Sequence, residues 1–470
     1  MGRAVVVGAG LAGLLAAAAL SPAADEVLLL DRDVLPDGPE NRKGVPQGHH
    51  AHLLMAGGLA AMEDLLPGAG VRARLLAAGA HEVSLSSGMV ALTPDGWFHR
   101  YRHDGPSMIT CTRALLDWVV REAVLSVSGN VRVHRAAVEG LLGDAGRVHG
   151  VRVGASDAGD PLGPELDADI VVEAGGRGSH ILRWLEEIGI TGVPVRNVDS
   201  GLANATRVYR TPAGAESFPL TVIQANPYHG RPGRSAMILP IEDDRWMVSL
   251  GGTRGGEPPQ SPDDFVRYTL DLPHPLVGWL ISGAEPLTDV VVSRSTSNAR
   301  RFFEKSPSWP ERLIVLGDAL ATFNPAYGQG MSVAALGAQV LAREVRRTGP
   351  AGPGLSRRVL RGAAQCAEGA WATAVGTDVL YPAVRGGKPT IADRLTARYS
   401  RMLTRSATGS YDAASALWDV TSLRTTPTRL LRPRAVLAAV SGSPLPHLSE
   451  PPLSPRELTV LDRLRKSAIA

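Results

Sequence analysis

The sequence predicts an α/β fold in which a parallel-sheet domain carries an inserted antiparallel sheet and is followed by a helical C-terminal region. Three observations predict it. The chain starts on a strand, a glycine turn and a small-residue helix; its middle, 201–292, is strand-rich; its last third is helical in texture and stopped by prolines.

The opening pattern is the most informative. An apolar run at 4–7 feeds Gly8, Ala9, Gly10, Leu11, Ala12 and Gly13, a small-residue helix follows, and a second apolar run at 27–30 ends at Asp31. In such a unit the first glycine makes the tight turn, the second lets backbone approach a pyrophosphate, and the third lets helix and strand pack closely. The helix N-terminus offers N–H groups and a positive dipole end to phosphate. A carboxylate at Asp31 suits a ribose diol, so the pattern reads as a Rossmann-like dinucleotide site. Arg3 ahead of an apolar run mimics a secretory signal, but the phased glycines and the second strand make this segment part of the fold.

Composition bounds the rest. Charged residues make up 20% and hydrophobic ones 44% of 470 residues, and Lys+Arg 49 against Asp+Glu 46 leaves a net charge of +3. This near balance gives no footprint for nucleic acid. Cys111 and Cys366 cannot form a disulfide framework and fit a reducing cytoplasm. No uncharged apolar segment reaches the roughly 20 residues of a membrane span.

Along the chain, Arg42 and Lys43 before Gly44 and Pro46 form a rigid loop suited to gripping an anionic cofactor. His49, His50 and His52 follow at a spacing that places at most two on one helical face, and no metal site is expected. Residues 53–66 read as a helix, 89–100 as a hairpin turning at 94–96, and 113–120 as a helix capped by Thr112. Residues 131–133 and 148–153 read as strands around a turn at 144–146, and 170–179 as a strand entering a second glycine turn. From 201 to 292 strands are expected without intervening helices, one face walling a pocket that Phe218, Tyr228, Met237, Trp246 and Met247 could line. Last, a buried strand at 313–316 ends at Gly317 and Asp318, and a glycine-broken loop opens another small-residue helix. Its N–H groups suit a flavin ring that becomes anionic on reduction, with Asp318 on polyol hydroxyls. These readings assign 1–86, 107–200 and 293–348 to the nucleotide-binding domain, 87–106 and 201–292 to the sheet domain, and 349–470 to the helical region. The basic C-terminal helices leave a membrane-edge role open.

With both glycine stretches placed, the chain resembles the FAD-dependent aromatic hydroxylases and their relatives. Gly8, Gly10, Gly13 and Asp31 look like their adenine-nucleotide fingerprint, and Gly317, Asp318, Pro325, Gly328, Gly330 and Met331 like their ribityl and pyrimidine-edge motif. Arg113 stands where those enzymes place an arginine near the cofactor. The stretch 173–179 is similar to their central Asp-Gly motif, with Glu173 where Asp is usual, a departure that bears on any pyridine-nucleotide role carried over from them. The run 42–47, with His50 and His52, and the run 324–332 resemble the flavin epoxidases of polyether-antibiotic pathways, of the lasalocid and monensin kind, nearly end to end. Relatives in other natural-product pathways share the 42–47 run.

The resemblance implies bound FAD held by the first glycine motif with Ala9, Leu11 and Ala12, by Asp31, Arg32, Arg42, Lys43, Arg113 and Val138, and by the second motif with Ser332. It implies epoxidation of one or more alkenes of a hydrophobic polyketide-like intermediate by dioxygen through a flavin C4a-hydroperoxide. An alkene has no proton to remove before attack, so no general base is required. If a side chain assists, Gln47, His50 and His52 are the candidates. Electrons are expected from NAD(P)H directly or through a separate flavin reductase, since no second dinucleotide fold is seen. Alternatives are a hydroxylase of an aromatic or terpenoid intermediate, an alkene reductase and a non-redox flavin-binding protein. A halogenase would carry a Trp-x-Trp-x-Ile-Pro signature, which is absent.

Overall fold

A five-stranded parallel sheet runs in the order Leu313–Val315, Ile170–Glu173, Arg3–Val7, Glu26–Asp31, Val131–Arg135 in the computed structural model, which describes residues 2–154, 162–294 and 296–467. Its central strands are buried on both faces, which is why they read as unbroken apolar runs rather than alternating ones. Helix Leu11–Leu20 crosses one face, and helix Gly330–Thr348 packs on it.

The second large sheet has seven strands, in the order Val291–Ser293, Ala203–Arg210, Arg245–Gly252, Arg234–Ile241, Leu220–Ile223, Met89–Thr93, Gly96–Trp97. Asp243 and Asp244, both at positive φ (62° and 52°), make the tight turn between two of these strands. The expected hairpin at 89–100 is present, with Thr93 opposite Gly96. Period-two alternation divides the sheet into two faces. On one, Tyr209, Ile238, Trp246 and Leu250 pack against Phe265 and Leu280. On the other, Leu220 and Leu239 meet Leu403, Ala407 and Trp418 of the C-terminal helices Ile391–Ala407 and Tyr411–Thr421.

Three expectations about elements are corrected. Helices Pro262–Leu270 and Leu276–Ile281 interrupt the strands of 201–292; Pro at the first turn and acidic Asp263 and Asp264 start the former. The helix expected over 53–66 spans Ala56–Leu65, because Leu53–Leu54 pairs as a short strand with Ser107–Thr110. The hairpin partner of Val148–Val153 is Val138–Gly143, while the strand at 131 belongs to the parallel sheet.

Candidate functional site

Both glycine stretches end at the carboxyl edge of the parallel sheet, where an open α/β sheet binds its ligand. Gly8 has φ +93°, and a Cβ there would lie 2.7 Å from the Ala174 carbonyl. A Cβ on Gly13 would lie 1.7 Å from the Gly8 carbonyl, so helix and strand touch at a distance only glycine permits. Asp31 accepts from the Ala9 N–H at 2.6 Å, the Arg42 guanidinium at 2.9 Å and the Asp33 N–H at 2.9 Å. Arg42 thereby lies near Gly10, its Nη2 3.7 Å from where a Cβ would stand. Asp33 in turn accepts from the Gly44 N–H at 2.5 Å and fixes the arginine loop. Beside this loop lies an open cleft lined by Ala9, Gly38, Arg42, Arg113, Trp118 and Arg121. Thr112 caps helix Arg113–Val127 by accepting from the Leu115 N–H, and Arg113, buried, is braced by Asp117 at 2.7 Å.

The second stretch meets the first directly: at Gly317, φ +61°, a Cβ would fall 2.6 Å from Ala12 Cβ. Arg301 donates to the carbonyls of Asp318 (3.3 Å) and Ala319 (2.9 Å). Burial raises the Asp318 carboxyl above its usual range, against the pull of Arg177, Arg113 and Arg301. Glu173 lies between these turns. Burial raises it to about 7, against hydrogen bonds from Ser179 and the Gly175 N–H and the charge of Arg301. Its Oε2 has no hydrogen-bond partner among the described residues.

The loop 324–329 is tied down by one buried carboxylate. Asp378, at the end of helix Leu355–Asp378, accepts from Asn324 at 3.0 Å, Tyr327 at 3.0 Å, Asn298 at 2.8 Å and Ser200 at 3.1 Å. Ser200 and Asn298 lie on the two passages of chain between the sheets, so the group binds loop, passages and C-terminal helix together. Asn324 also caps the Ala326 N–H, Gly328 turns at φ +64°, and helix Gly330–Thr348 begins.

The sheet face that meets the C-terminal helices carries Val222, Met237 and Leu239, with Met247 opposite Leu239 in register. Its polar feature is a chain in which His50 Nδ1 meets Thr206 Oγ1 at 2.9 Å and Thr206 meets Ser249 Oγ at 2.9 Å. Burial, with His49 nearby, lowers His50 from 6.5 to about 4. Burial and then the charge of Arg113 lower His52 to about 3, and its Nδ1 meets the His50 carbonyl at 2.8 Å. Both rings are neutral at pH 7.

A family model described as an FAD binding domain matches residues 2–348. The chain belongs to this FAD-binding family. It is 30% identical over 351 residues to Protein Rv3254 of Mycobacterium tuberculosis, covering 73% of each chain, and 27% identical over 356 residues to a kynurenine 3-monooxygenase of Salinispora tropica, covering 71% of this chain and 70% of the other. A structure of the flavin-dependent brominase Bmp2 superposes with a TM-score of 0.64 at 15% identity over 93% of this chain and 98% of that one, a likeness of fold. The architecture is that of aromatic-hydroxylase-type flavin monooxygenases.

The residues present fit FAD. Gly8 and Gly13 make a cradle that a Cβ would fill, Asp31 ends the second strand, and Arg42 and Arg113 line the cleft as counter-charges for a pyrophosphate. The residues assigned from sequence have varied surroundings. Ser332 is fully buried and packs against Gly58 of the neighbouring helix, and the Met331 side chain sits in the main core. Their side chains are packing residues, because a helix opening on a ligand offers its backbone there. Phe218 and Trp246 meet edge to face, ring centroids 6.3 Å apart, in the hydrophobic cluster on the other face of the sheet. Tyr228 lies under the Arg401 guanidinium at 4.6 Å. Arg32, Lys43 and Gln47 are exposed, Pro325 caps the exposed tip of its loop, and Val138 pairs with Val153 in the small antiparallel sheet. Residues the sequence did not mark are Asp378, Thr206, Ser249, Arg177 and Arg301. Only their meeting in space marks them, since Asp378 and Ser200 are 178 positions apart.

Proposed function

We propose that the protein is a flavin-dependent monooxygenase that converts an alkene of a hydrophobic, polyketide-like intermediate to an epoxide. The observation that carries this reading is the apolar sheet face under the C-terminal helices, Val222, Met237, Leu239 and Met247, with a neutral His50 held by Thr206 on the same face. Reduced FAD, when bound, supplies activated dioxygen, and the reducing equivalents come from NAD(P)H directly or through a separate flavin reductase.

The protein's own part is binding, orientation and exclusion of water. Asp31, Arg42 and Arg113 would hold the nucleotide end of FAD, and the N–H groups at the start of helix Gly330–Thr348, behind the Asp378-anchored loop, would offer hydrogen bonds to the flavin. The C-terminal helices cover the apolar face and keep it dry. Addition to an alkene needs no base to remove a substrate proton. The Nε2 of His50, left over from the Nδ1 contact, is a hydrogen-bonding group that can orient a substrate oxygen.

A second reading, hydroxylation of an aromatic or terpenoid intermediate, is favoured by the kynurenine 3-monooxygenase relative. The test is turnover of protein reconstituted with FAD and either NAD(P)H or a flavin reductase, on a trisubstituted-alkene polyketide mimic under isotopically labelled dioxygen, followed by mass spectrometry. An epoxide carrying one labelled oxygen is the expected product. Oxygenation of phenols with the alkene untouched would put the hydroxylase reading in its place, and a hydrogenated alkene would put the reductase there.

A further inference from the structure

The face of the C-terminal region that points away from the cleft has a composition that neither flavin binding nor packing explains. In helix Pro433–Ser441 the small residues Ala435 and Ala439 face inward, while Leu437 and Val440 stand 67% exposed, as does Leu431 just before it. In helix Ile391–Ala407, Leu403 faces the core, yet Ile391 is 79% and Leu395 62% exposed, with Met402 on the same stripe at 39%. Helical spacing sets Arg394, Arg398, Arg401 and Arg405 as one ridge directly beside that stripe. The two helices are packed together: Tyr399 donates to the Leu430 carbonyl at 2.5 Å and Ser406 to the Ala438 carbonyl at 2.6 Å.

The charge of this region is one-sided. Residues 390–445 hold eight arginines and no lysine against three aspartates, whereas the whole chain carries only +3, so the remainder is net acidic. Arg401, Arg424 and Arg429 pair with Asp95 and Asp419. Arg394, Arg398, Arg405, Arg432 and Arg434 are exposed and have no carboxylate partner among the described residues.

We propose that the outer faces of helices Ile391–Ala407 and Pro433–Ser441, with the turn Pro427–Leu431, dock the protein onto an anionic lipid bilayer. Aliphatic tips enter the headgroup boundary to a shallow depth, and the flanking guanidiniums lie at phosphate level, their stems along the apolar surface. Charge complementarity selects this occupant over a second copy of the chain, since pairing the face with itself would set two arginine ridges against each other. The docking face is separate from the cleft and does not depend on which oxygenation the cleft performs.

The test is sedimentation of the full-length, FAD-loaded protein with vesicles of phosphatidylcholine alone or with phosphatidylglycerol added, at low and high salt. Retention on the anionic vesicles, falling with salt, is expected. Arg432→Gln and Arg434→Gln should each weaken partitioning about fivefold. The double variant Leu437→Ser with Val440→Ser should abolish it while the flavin spectrum stays unchanged, because these side chains are solvent-exposed. Absence of retention, or equal retention by the serine variant, overturns the proposal. So does light scattering that finds a dimer which the serine variant dissociates, since a second copy would then cover the face.

Discussion

A Cβ on Gly13 has nowhere to go: the atom 1.7 Å away is the carbonyl oxygen of Gly8, in the turn that leaves the first strand. Gly13→Ala is expected to lower stability by about 3 kcal/mol or more and to release FAD, read by thermal unfolding and by free-flavin fluorescence. Glu173 makes a prediction of opposite sign. Its folded-state pKa is raised to about 7, so its contribution to stability is fully present below the unfolded value near 4.5 and is lost as pH rises through 7. Glu173→Gln, which keeps the neutral form, is expected to match the parent near pH 4.5 and to exceed it at pH 8 by up to about 3 kcal/mol, measured by urea unfolding. The glycines and Asp31 were legible in the sequence because their constraints act within one turn of chain. Glu173 was legible as a position but not as a buried acid, since its burial comes from strands far away in sequence. Trp246 shows the limit from the other side: alternation says that neighbours face opposite ways, but not which neighbouring elements each face meets.

At the scale of elements, the loop that opens helix Gly330–Thr348 owes its shape to Asp378 rather than to its own glycines alone. Asp378→Asn replaces an acceptor-only carboxylate with a group carrying an N–H pair among donors, and the buried donors cannot all be satisfied. The expected result is a loss of about 2–3 kcal/mol in thermal unfolding together with weaker FAD retention on gel filtration. Elements with strong local grammar were readable from sequence: the turn at 94–96, the Thr112 cap, and the strand–turn–helix at each glycine stretch. The short strand Leu53–Leu54 and helices Pro262–Leu270 and Leu276–Ile281 were not. The first exists only because Ser107–Thr110 lies beside it, and the helices cover a sheet face whose extent the sequence does not state.

On the scale of the molecule, the C-terminal helices pack on the sheet on one side and present arginines and aliphatic tips on the other. A chain ending after residue 387 is expected to bare Leu220 and Leu239, to bind a hydrophobic dye such as ANS, and to lose substrate turnover. Among the described residues no helix is long and apolar enough to cross a membrane, so contact with lipid would be made by the surface. The α/β class with an inserted sheet was legible because parallel, doubly covered strands and alternating ones leave different patterns. The order of strands was not, because pairing joins segments that the sequence keeps far apart.

That strand order has a consequence for how the protein comes into being. Ala4 lies beside Ile170, Val171 beside Leu313, and Met89 beside Leu220. During synthesis the first strand therefore leaves the ribosome long before the neighbours that complete its sheet, and the hairpin at Met89 waits for a partner from the middle of the chain. Completion of the sheet is necessarily late, with apolar strand edges unpaired in the interval. Until Val315 has been made, the edge of Ile170–Glu173 has no strand beside it on that side.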